Sequence, residues 1–292
     1  MLMLLAACSR ESEMVNPSFI HLDGVTLAPS TASGIGHGDA GFYTSDIVAV
    51  YVVAHYPGAP AVDTIGLFHT PFTAPIMYSG EVDYLEFYPA IEMSGQALTL
   101  PFYTFYNKIR IEDTTLCSGD TLDLGTLSTT YNPQTDIPML YEPFEPTEAD
   151  VATDTVVEWV RHDRDGACVG EGYGRVSVTP DRTSVPFAID HTFRLFDNTK
   201  VCYLELDIKS TVATEIYMHA AYTEGGVTER LQVMVINPLK EWTHIYVNLG
   251  RTWSEFNHPT KFQLSCAALN PDSQSGEVLI DNIKVLSTSV VL

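Results

Sequence analysis

The stretch from 201 to 210, "VCYLELDIKS", decides the fold class of this chain. Every second residue in it is apolar: Cys202, Leu204, Leu206 and Ile208. This period of two is that of a β-strand with one apolar face, which must be buried against another layer. The opposite face carries Glu205 and Asp207, a carboxylate pair that we expect to lie in solvent. The stretch therefore predicts a strand of a β-sandwich.

Similar patterns continue to the C-terminus. Further strands are predicted over "TEIYMHAAY" (214 to 222), "RLQVMVI" (230 to 236), "EWTHIYVNL" (241 to 249), "KFQLSCAAL" (261 to 269) and "EVLIDNIKVL" (277 to 286). Segments rich in Pro, Asn and Gly separate them, as in the turns of antiparallel sheets. Residues 151 to 292 are thus predicted to form one antiparallel β-sandwich domain.

The first half of the chain also consists of short β patterns. They include "FIHLDGVTL" (19 to 27), "EVDYLEFYPAI" (81 to 91) and "DIVAVYVVAHY" (46 to 56), of which the last is expected to be a central strand buried on both faces. About six strands between residues 15 and 131, with no amphipathic helix of useful length, indicate an immunoglobulin-like sandwich. Residues 132 to 150 are rich in Pro and acid and are predicted to be a linker. The chain is therefore expected to be all-β, with two antiparallel β-sandwich domains.

The charge of the chain excludes one class of partner. Lys and Arg number 15 and Asp and Glu 37 among 292 residues, for a net charge of −22. Both halves are acidic, since residues 1 to 140 carry 15 acidic and 3 basic residues. Such a surface repels phosphate backbones, so nucleic acid is not an expected partner.

The N-terminal stretch "MLMLLAACSRESE" predicts a lipid anchor. Its apolar run ends in Leu5-Ala6-Ala7-Cys8 and is followed by polar residues, which is the pattern of the distal half of a bacterial lipoprotein signal. Residues 1 to 14 are therefore interpreted as a truncated signal and tether, with Cys8 acylated. We expect the basic start of the signal to lie in an upstream extension. The alternative is a first strand with an incidental cysteine.

The closing strand carries a family resemblance. Leu279-Ile280-Asp281-Asn282-Ile283-Lys284-Val285, with 203 to 207 and 242 to 249, resembles the jelly-roll sandwiches of carbohydrate-binding modules. Together with the lipoprotein signal, the whole chain resembles uncharacterised outer-membrane lipoproteins of Bacteroidetes bacteria. The resemblance implies a jelly-roll C-terminal domain but no activity. It also makes Asp281 a candidate ligand of a structural calcium ion, with a role in hydrogen bonding to a loop as the alternative.

Candidate site residues are few. Exposed aromatic side chains stack on pyranose rings, and Trp253 in the polar "GRTWSEFNH", Tyr173 and Tyr222 are the candidates for this role, whereas Trp242 is expected to pack in the core. Asp163 and Asp165 in "HDRDGACVGEGYG" are candidate calcium ligands, although the loop lacks the order of an EF-hand. Pairing among Cys117, Cys168, Cys202 and Cys266 stays open.

Two functions remain at this stage. The first is a membrane-anchored, non-catalytic binding or accessory lipoprotein whose partner is a glycan or an envelope protein. The second is a glycan-processing enzyme that uses paired carboxylates; the absence of a nucleophile elbow or other catalytic motif from the sequence favours the first. Either would be an outer-membrane lipoprotein of the cell envelope, on its periplasmic or its surface face, with no cofactor except a structural calcium ion.

Overall fold

A computed structural model describes residues 16–29, 40–94, 100–132, 135–145, 156–195, 199–222, 228–257 and 259–289. Nearly all regular structure in these ranges is β-strand, so the prediction of an all-β chain is confirmed. No helix within them has the length and apolar character needed to cross a bilayer.

The first half contributes nine strands. They are β1 (Ser18–Leu22), β2 (Gly24–Leu27), β3 (Ile47–His55), β4 (Asp63–His69), β5 (Phe72–Ile76), β6 (Gly80–Ile91), β7 (Ile109–Leu116), β8 (Thr121–Asp123) and β9 (Thr126–Thr129). Their sheets have the orders β5-β1-β8, β2-β9 and β4-β3-β6-β7. The pairs β1–β8 and β2–β9 run parallel, which a purely antiparallel sandwich does not include.

Strand β3 is central, as predicted, but only one of its faces is fully buried. It lies between β4 and β6, and its side chains alternate between buried residues such as Val50 and Val52 and half-buried ones such as Tyr51 and Val53. The β-branched run therefore reflects strand propensity on a half-covered sheet rather than burial on both sides.

The second half contributes ten strands. They are β10 (Thr135–Glu142), β11 (Glu158–Arg161), β12 (Gly172–Val178), β13 (Ser184–Phe193), β14 (Thr199–Ser210), β15 (Ala213–Ala221), β16 (Thr228–Ile236), β17 (Leu239–Asn248), β18 (Lys261–Leu269) and β19 (Gly276–Ser289). A short helix, α1 (Gly250–Trp253), connects β17 to β18. One sheet has the order β11-β12-β19-β14-β17 and the other β13-β18-β15-β16.

Strand β10 occupies part of the segment for which a linker is predicted. It pairs antiparallel with β19, from Thr135 opposite Thr288 to Glu142 opposite Ile283. Backbone pairing to a long central strand offsets the weak β pattern of this segment. The linker prediction is therefore wrong for residues 135 to 142.

The two sheets of the second half enclose one hydrophobic core. Its members include Leu204, Leu206 and Ile208 of β14, as the alternation predicts. The outer face of β14, β17 and β19 is not exposed, because Tyr203, Tyr246 and Leu286 join the core of the first half. The first half thus covers this face of the second, and the functional residues lie at that contact.

Candidate functional site

Glu205 is completely buried between the two halves and is surrounded by donors. Lys284 Nζ lies 2.9 Å from Glu205 Oε2. The hydroxyl of Tyr103 donates to Oε1 at 2.6 Å, and that of Tyr131 donates to Oε2 at 3.1 Å. Both tyrosines come from the first half of the chain, so a charge of β14 is neutralised and hydrogen-bonded across the contact. The expectation that Glu205 lies in solvent is wrong.

Asp207 is also buried, at 2% exposure. It accepts hydrogen bonds from His244 Nδ1 at 2.9 Å and from Asn282 Nδ2 at 2.9 Å. The second ring nitrogen of His244 is buried 3.7 Å from Glu205 Oε2. The imidazole therefore lies between the two carboxylates, which would each contact water if this face of β14 were exposed.

The pKa values of this network follow from burial and neighbouring charge. Burial by itself raises the pKa of Glu205, but the Lys284 ammonium and His244 outweigh it and lower that pKa to about 2. Burial lowers the pKa of His244, yet Asp207 and Glu205 raise it above its ordinary value. The two buried carboxylates are therefore stabilised within the protein, Glu205 by the Lys284 ammonium and Asp207 by its hydrogen bond from His244.

The pKa of Asp281 is shifted in the opposite direction from those of Glu205 and Asp207. It lies opposite Asp207 in the pairing of β14 with β19 and is fully buried. Its Oδ1 accepts from the backbone N–H of Asn282, while its Oδ2 has no hydrogen-bond partner. Burial, and then the charge of Asp207, raise the pKa of Asp281 to about 9, so this carboxyl is protonated at neutral pH.

A cavity of about 590 Å³ opens beside this network, between the two halves. The first half supplies Tyr43, Asp46 and the hydroxyls of Thr44 and Ser45, and the second half supplies Asp207, Trp242, Thr243 and His244. Aromatic rings, hydroxyls and carboxylates are the groups that bind sugars in proteins. The cavity therefore has the shape and chemistry of a small polar ligand site.

Trp242 is held in a fixed position at this cavity. Its indole Nε1 donates to the carbonyl of Gly166 at 3.0 Å, and the ring of Tyr173 meets it edge-on at 6.2 Å between centroids. Because the ring is half-buried and already oriented, little side-chain entropy is lost when a ligand stacks on it.

A second cavity of about 550 Å³ adjoins the first. It shares Asp46, Thr243 and His244 with the first cavity and adds Glu92 and Ser94, among others. Together the two cavities follow β17, the last strand in the order of its sheet, on the side of the first half. We call this pair of cavities the cleft.

The three aromatic candidates from the sequence are not gathered at the cleft. Trp253 packs against the core of the second half from α1. Tyr173 is 3% exposed and hydrogen-bonds Asp163 and Arg175, which makes it a support for Trp242 rather than a surface for a ligand. Tyr222 directly follows β15 of the other sheet and donates to Glu229.

The three candidate metal ligands are also apart. Asp163 accepts from the N–H of Gly166 and from Tyr173, Asp165 is exposed, and Asp281 is buried and protonated. No group of three or more His, Cys, Asp or Glu side chains in the described ranges is arranged to hold a metal. Cys117, Cys168, Cys202 and Cys266 are free thiols, and Cys8 lies outside the described residues.

The cleft cannot act through its thiol or its imidazole. Burial, then Asp207 and Asp281, raise the pKa of Cys168 far above its ordinary value, so the thiol is not ionised. The ring of His244 is 5% exposed and faces Asp207 and Glu205. Among the described lining residues, these groups offer neither a nucleophile nor a free base.

Comparison with known proteins gives fold likenesses only. No protein-family model matches the chain, and no curated protein does. A structure described as the structural basis for the promiscuous specificity of carbohydrate-binding modules from the β-sandwich superfamily is 14% identical, covering 94% of this chain and 99% of its own, with a TM-score of 0.40. The family 30 carbohydrate-binding module of a Clostridium thermocellum cellulosomal cellulase is 17% identical over 54% of this chain and 95% of its own (TM-score 0.35).

A third solved structure is TmCBM61 in complex with β-1,4-galactotriose, which is 14% identical over 51% of this chain and 97% of its own, with a TM-score of 0.33. All three are carbohydrate-binding modules, the class that the closing strand resembles. At these identities and TM-scores they say nothing about the ligand of this chain.

Proposed function

We propose that this protein is a non-catalytic carbohydrate-binding protein that holds a short glycan in the cleft. The observation that carries the proposal is the fixed indole of Trp242 in a concave site lined by hydroxyls and carboxylates. The apolar face of a pyranose ring would stack on the indole, and Asp46, Thr44 and Ser45 would accept or donate hydrogen bonds to its hydroxyls.

Several features support binding without catalysis. The Cys168 thiol is protonated, and the His244 ring faces the interior. Asp207 already accepts from His244 and Asn282. Asp207 is therefore not free to serve as one of the two carboxylates that a glycoside hydrolase uses. We therefore expect oligosaccharides incubated with the protein to be bound and recovered intact.

Trp242 provides the test of this site. The full-length chain carrying Cys8→Ser, which removes the acylation point, is applied to a glycan array, and bound glycans are titrated by calorimetry. We expect Trp242→Ala to weaken binding about tenfold or more. Stacking of a sugar on one aromatic ring contributes on the order of 1–1.5 kcal/mol in addition to the apolar area that the ring buries. Tyr222→Ala, on the other sheet, is the matched control and should bind like the parent.

The outcomes separate the candidate partners. Loss of binding in Tyr222→Ala but not in Trp242→Ala would move the site away from the cleft. Retention of no glycan by the parent chain would overturn carbohydrate binding and leave an envelope protein as the partner. Release of shortened products would instead support the enzyme.

We further propose that Cys8 anchors the protein to the outer membrane as a lipoprotein of the Bacteroidetes type. The support is the sequence Leu5-Ala6-Ala7-Cys8 before a polar stretch. Acyl chains on the thiol and on the new amino group would give stable binding to a bilayer. A palmitate analogue should label the full-length protein and the control variant Cys117→Ala, whose cysteine is exposed, but not Cys8→Ala. Label in Cys8→Ala would overturn the anchor.

A further inference from the structure

The charge of the cleft is one-sided. Its two cavities contain the carboxylates of Asp46, Glu92 and Asp207, and no Lys or Arg is among the described residues that line them. His244 lies at its wall, and the ring nitrogens of this residue face Asp207 and Glu205. The imidazole is thus already engaged by carboxylates of the protein, and the Asp and Glu side chains among the described lining residues make the cleft anionic.

Asp46 is the carboxylate left available to a ligand. Its backbone N–H donates to the hydroxyl of Tyr246, which fixes the position of the residue. Among the described residues its side chain takes part in no hydrogen bond or ion pair, and it reaches solvent at the point that the two cavities share. Partial burial, opposed by His244 and reinforced by Glu92, raises the pKa of Asp46.

Asp46 therefore differs from Glu205 and Asp207, whose buried carboxylates are held by partners within the protein. Glu205 has Lys284 beside it, and Asp207 has His244. Asp46 has no such contact: its side chain is exposed in the cleft, which Glu92 also lines, and the His244 ring, which opposes the rise in the pKa of Asp46, is hydrogen-bonded to Asp207 instead. Sugar hydroxyls can satisfy its lone pairs but cannot neutralise its charge, whereas an ammonium does both.

We infer that the cleft selects a glycan that carries a free, protonated amino group, and that Asp46 binds this ammonium. The inference rests on the proposed carbohydrate-binding function and names the class of sugar. The rings of Tyr43 and Trp242 line the same cavity and add a favourable surface for a cation. The net charge of −22 raises the local concentration of such a ligand around the whole protein.

The test compares three trisaccharides of β-1,4-linked units: glucosamine, its N-acetylated form, and glucose. Binding to the full-length Cys8→Ser chain is measured by calorimetry at a pH below the pKa of the ligand amine, in 20 mM and in 500 mM salt. We expect the amine to bind about tenfold more tightly than the neutral pair, as one charge-assisted hydrogen bond supplies. Asp46→Asn should remove this preference, because it weakens binding of the amine about tenfold more than binding of the neutral trisaccharides.

Two controls separate a specific ion pair from general attraction to an acidic protein. Asp120→Asn removes the same charge from an exposed turn of the first half and should keep the preference for the amine. A preference that survives in Asp46→Asn, or that falls equally in Asp120→Asn, overturns the inference, as does its disappearance from the parent at 500 mM salt. Equal binding of all three trisaccharides overturns the inference alone, whereas binding of none overturns the proposed function.

Discussion

Strand β14 has an apolar face and a charged face, and the protein buries both. Leu204 and Leu206 point into the core between the two sheets of the second half. Glu205 and Asp207 point the other way, into the contact with the first half, where tyrosines, a lysine and a histidine surround them. Burial of the first face is favourable by itself, whereas burial of the second depends on every partner being present. The charged face therefore fixes how the first half lies on the second, and beside it the cleft forms.

The largest expected effect is the loss of Lys284. Its ammonium contacts Glu205 and also donates to the carbonyls of Phe42 and Thr44 in the first half. Lys284→Ala leaves Glu205 buried without a counter-charge, so we expect the free energy of unfolding to fall by about 3–5 kcal/mol in urea titrations.

The matched variant is the double substitution Glu205→Gln with Lys284→Met, which removes both charges. It should recover most of the lost stability, because replacing a whole buried pair costs far less than breaking it. A double variant as unstable as Lys284→Ala would mean that the lysine acts through its packing and its carbonyl contacts instead.

Asp281 offers the opposite substitution, one that should stabilise. Its folded-state pKa of about 9 lies above the ordinary 3.8, so the folded state holds a proton that the unfolded state releases, and stability falls as the pH rises from about 4 to 9. Asp281→Asn keeps the shape without the titration, and we expect a gain on the order of 3 kcal/mol at pH 7, measured by urea unfolding.

The same urea titrations, repeated with calcium, test whether Asp281 binds a metal ion. The difference between Asp281→Asn and the parent should shrink toward zero as the pH falls to about 3, where the carboxyl is mostly protonated in both states. As the pH falls from about 5 to 2, both proteins should lose stability, because Glu205, whose folded pKa is about 2, takes up a proton on unfolding. A parent that calcium stabilises and an Asp281→Asn variant that it does not would instead favour the ionised, metal-binding carboxylate.

A substitution on the apolar face of β14 is the control for these substitutions on its charged side. Leu204 is 2% exposed in the core of the second half, and Leu204→Ala should cost about 2–4 kcal/mol through lost burial and a residual cavity. This cost should not vary between pH 4 and 9, because no titrating group of the network faces that core. A cost that changed with pH would show that the two faces of β14 are coupled.

The sequence predicts one face of β14 well and the other badly, and the reason is physical. Alternation shows which residues share a face, and that is sufficient for the strand and for its apolar core. It does not show what covers the other face. Tyr103 lies 102 residues before its partner Glu205, and Tyr131 lies 74 residues before it, so nothing local to β14 reports the contact.

The two tryptophans show the same limit at the site. Trp253 stands in a polar stretch and was the better candidate from sequence, yet α1 turns it onto the core. Trp242 stands in a strand pattern that suggests burial. However, β17 is the last strand in the order of its sheet, and the ring of Trp242 borders the cleft. Trp242 is identified as a site residue by its position at the edge of a sheet, beside another domain. That position follows from the strand order and not from the local sequence.

The smallest expected effect distinguishes the two oxygens of Glu205. Oε1 accepts from Tyr103, while Oε2 accepts from both Tyr131 and Lys284. Tyr103→Phe removes the tyrosine hydroxyl that donates to a buried carboxylate oxygen, and it should cost about 1.5–3 kcal/mol in urea titrations. Tyr131→Phe leaves Oε2 with its lysine and should cost about 0.5–1 kcal/mol. Equal costs would imply that the charged face is held by total polarity rather than by individual donors, and the selectivity of the cleft beside it would then have to rest on Asp46 alone.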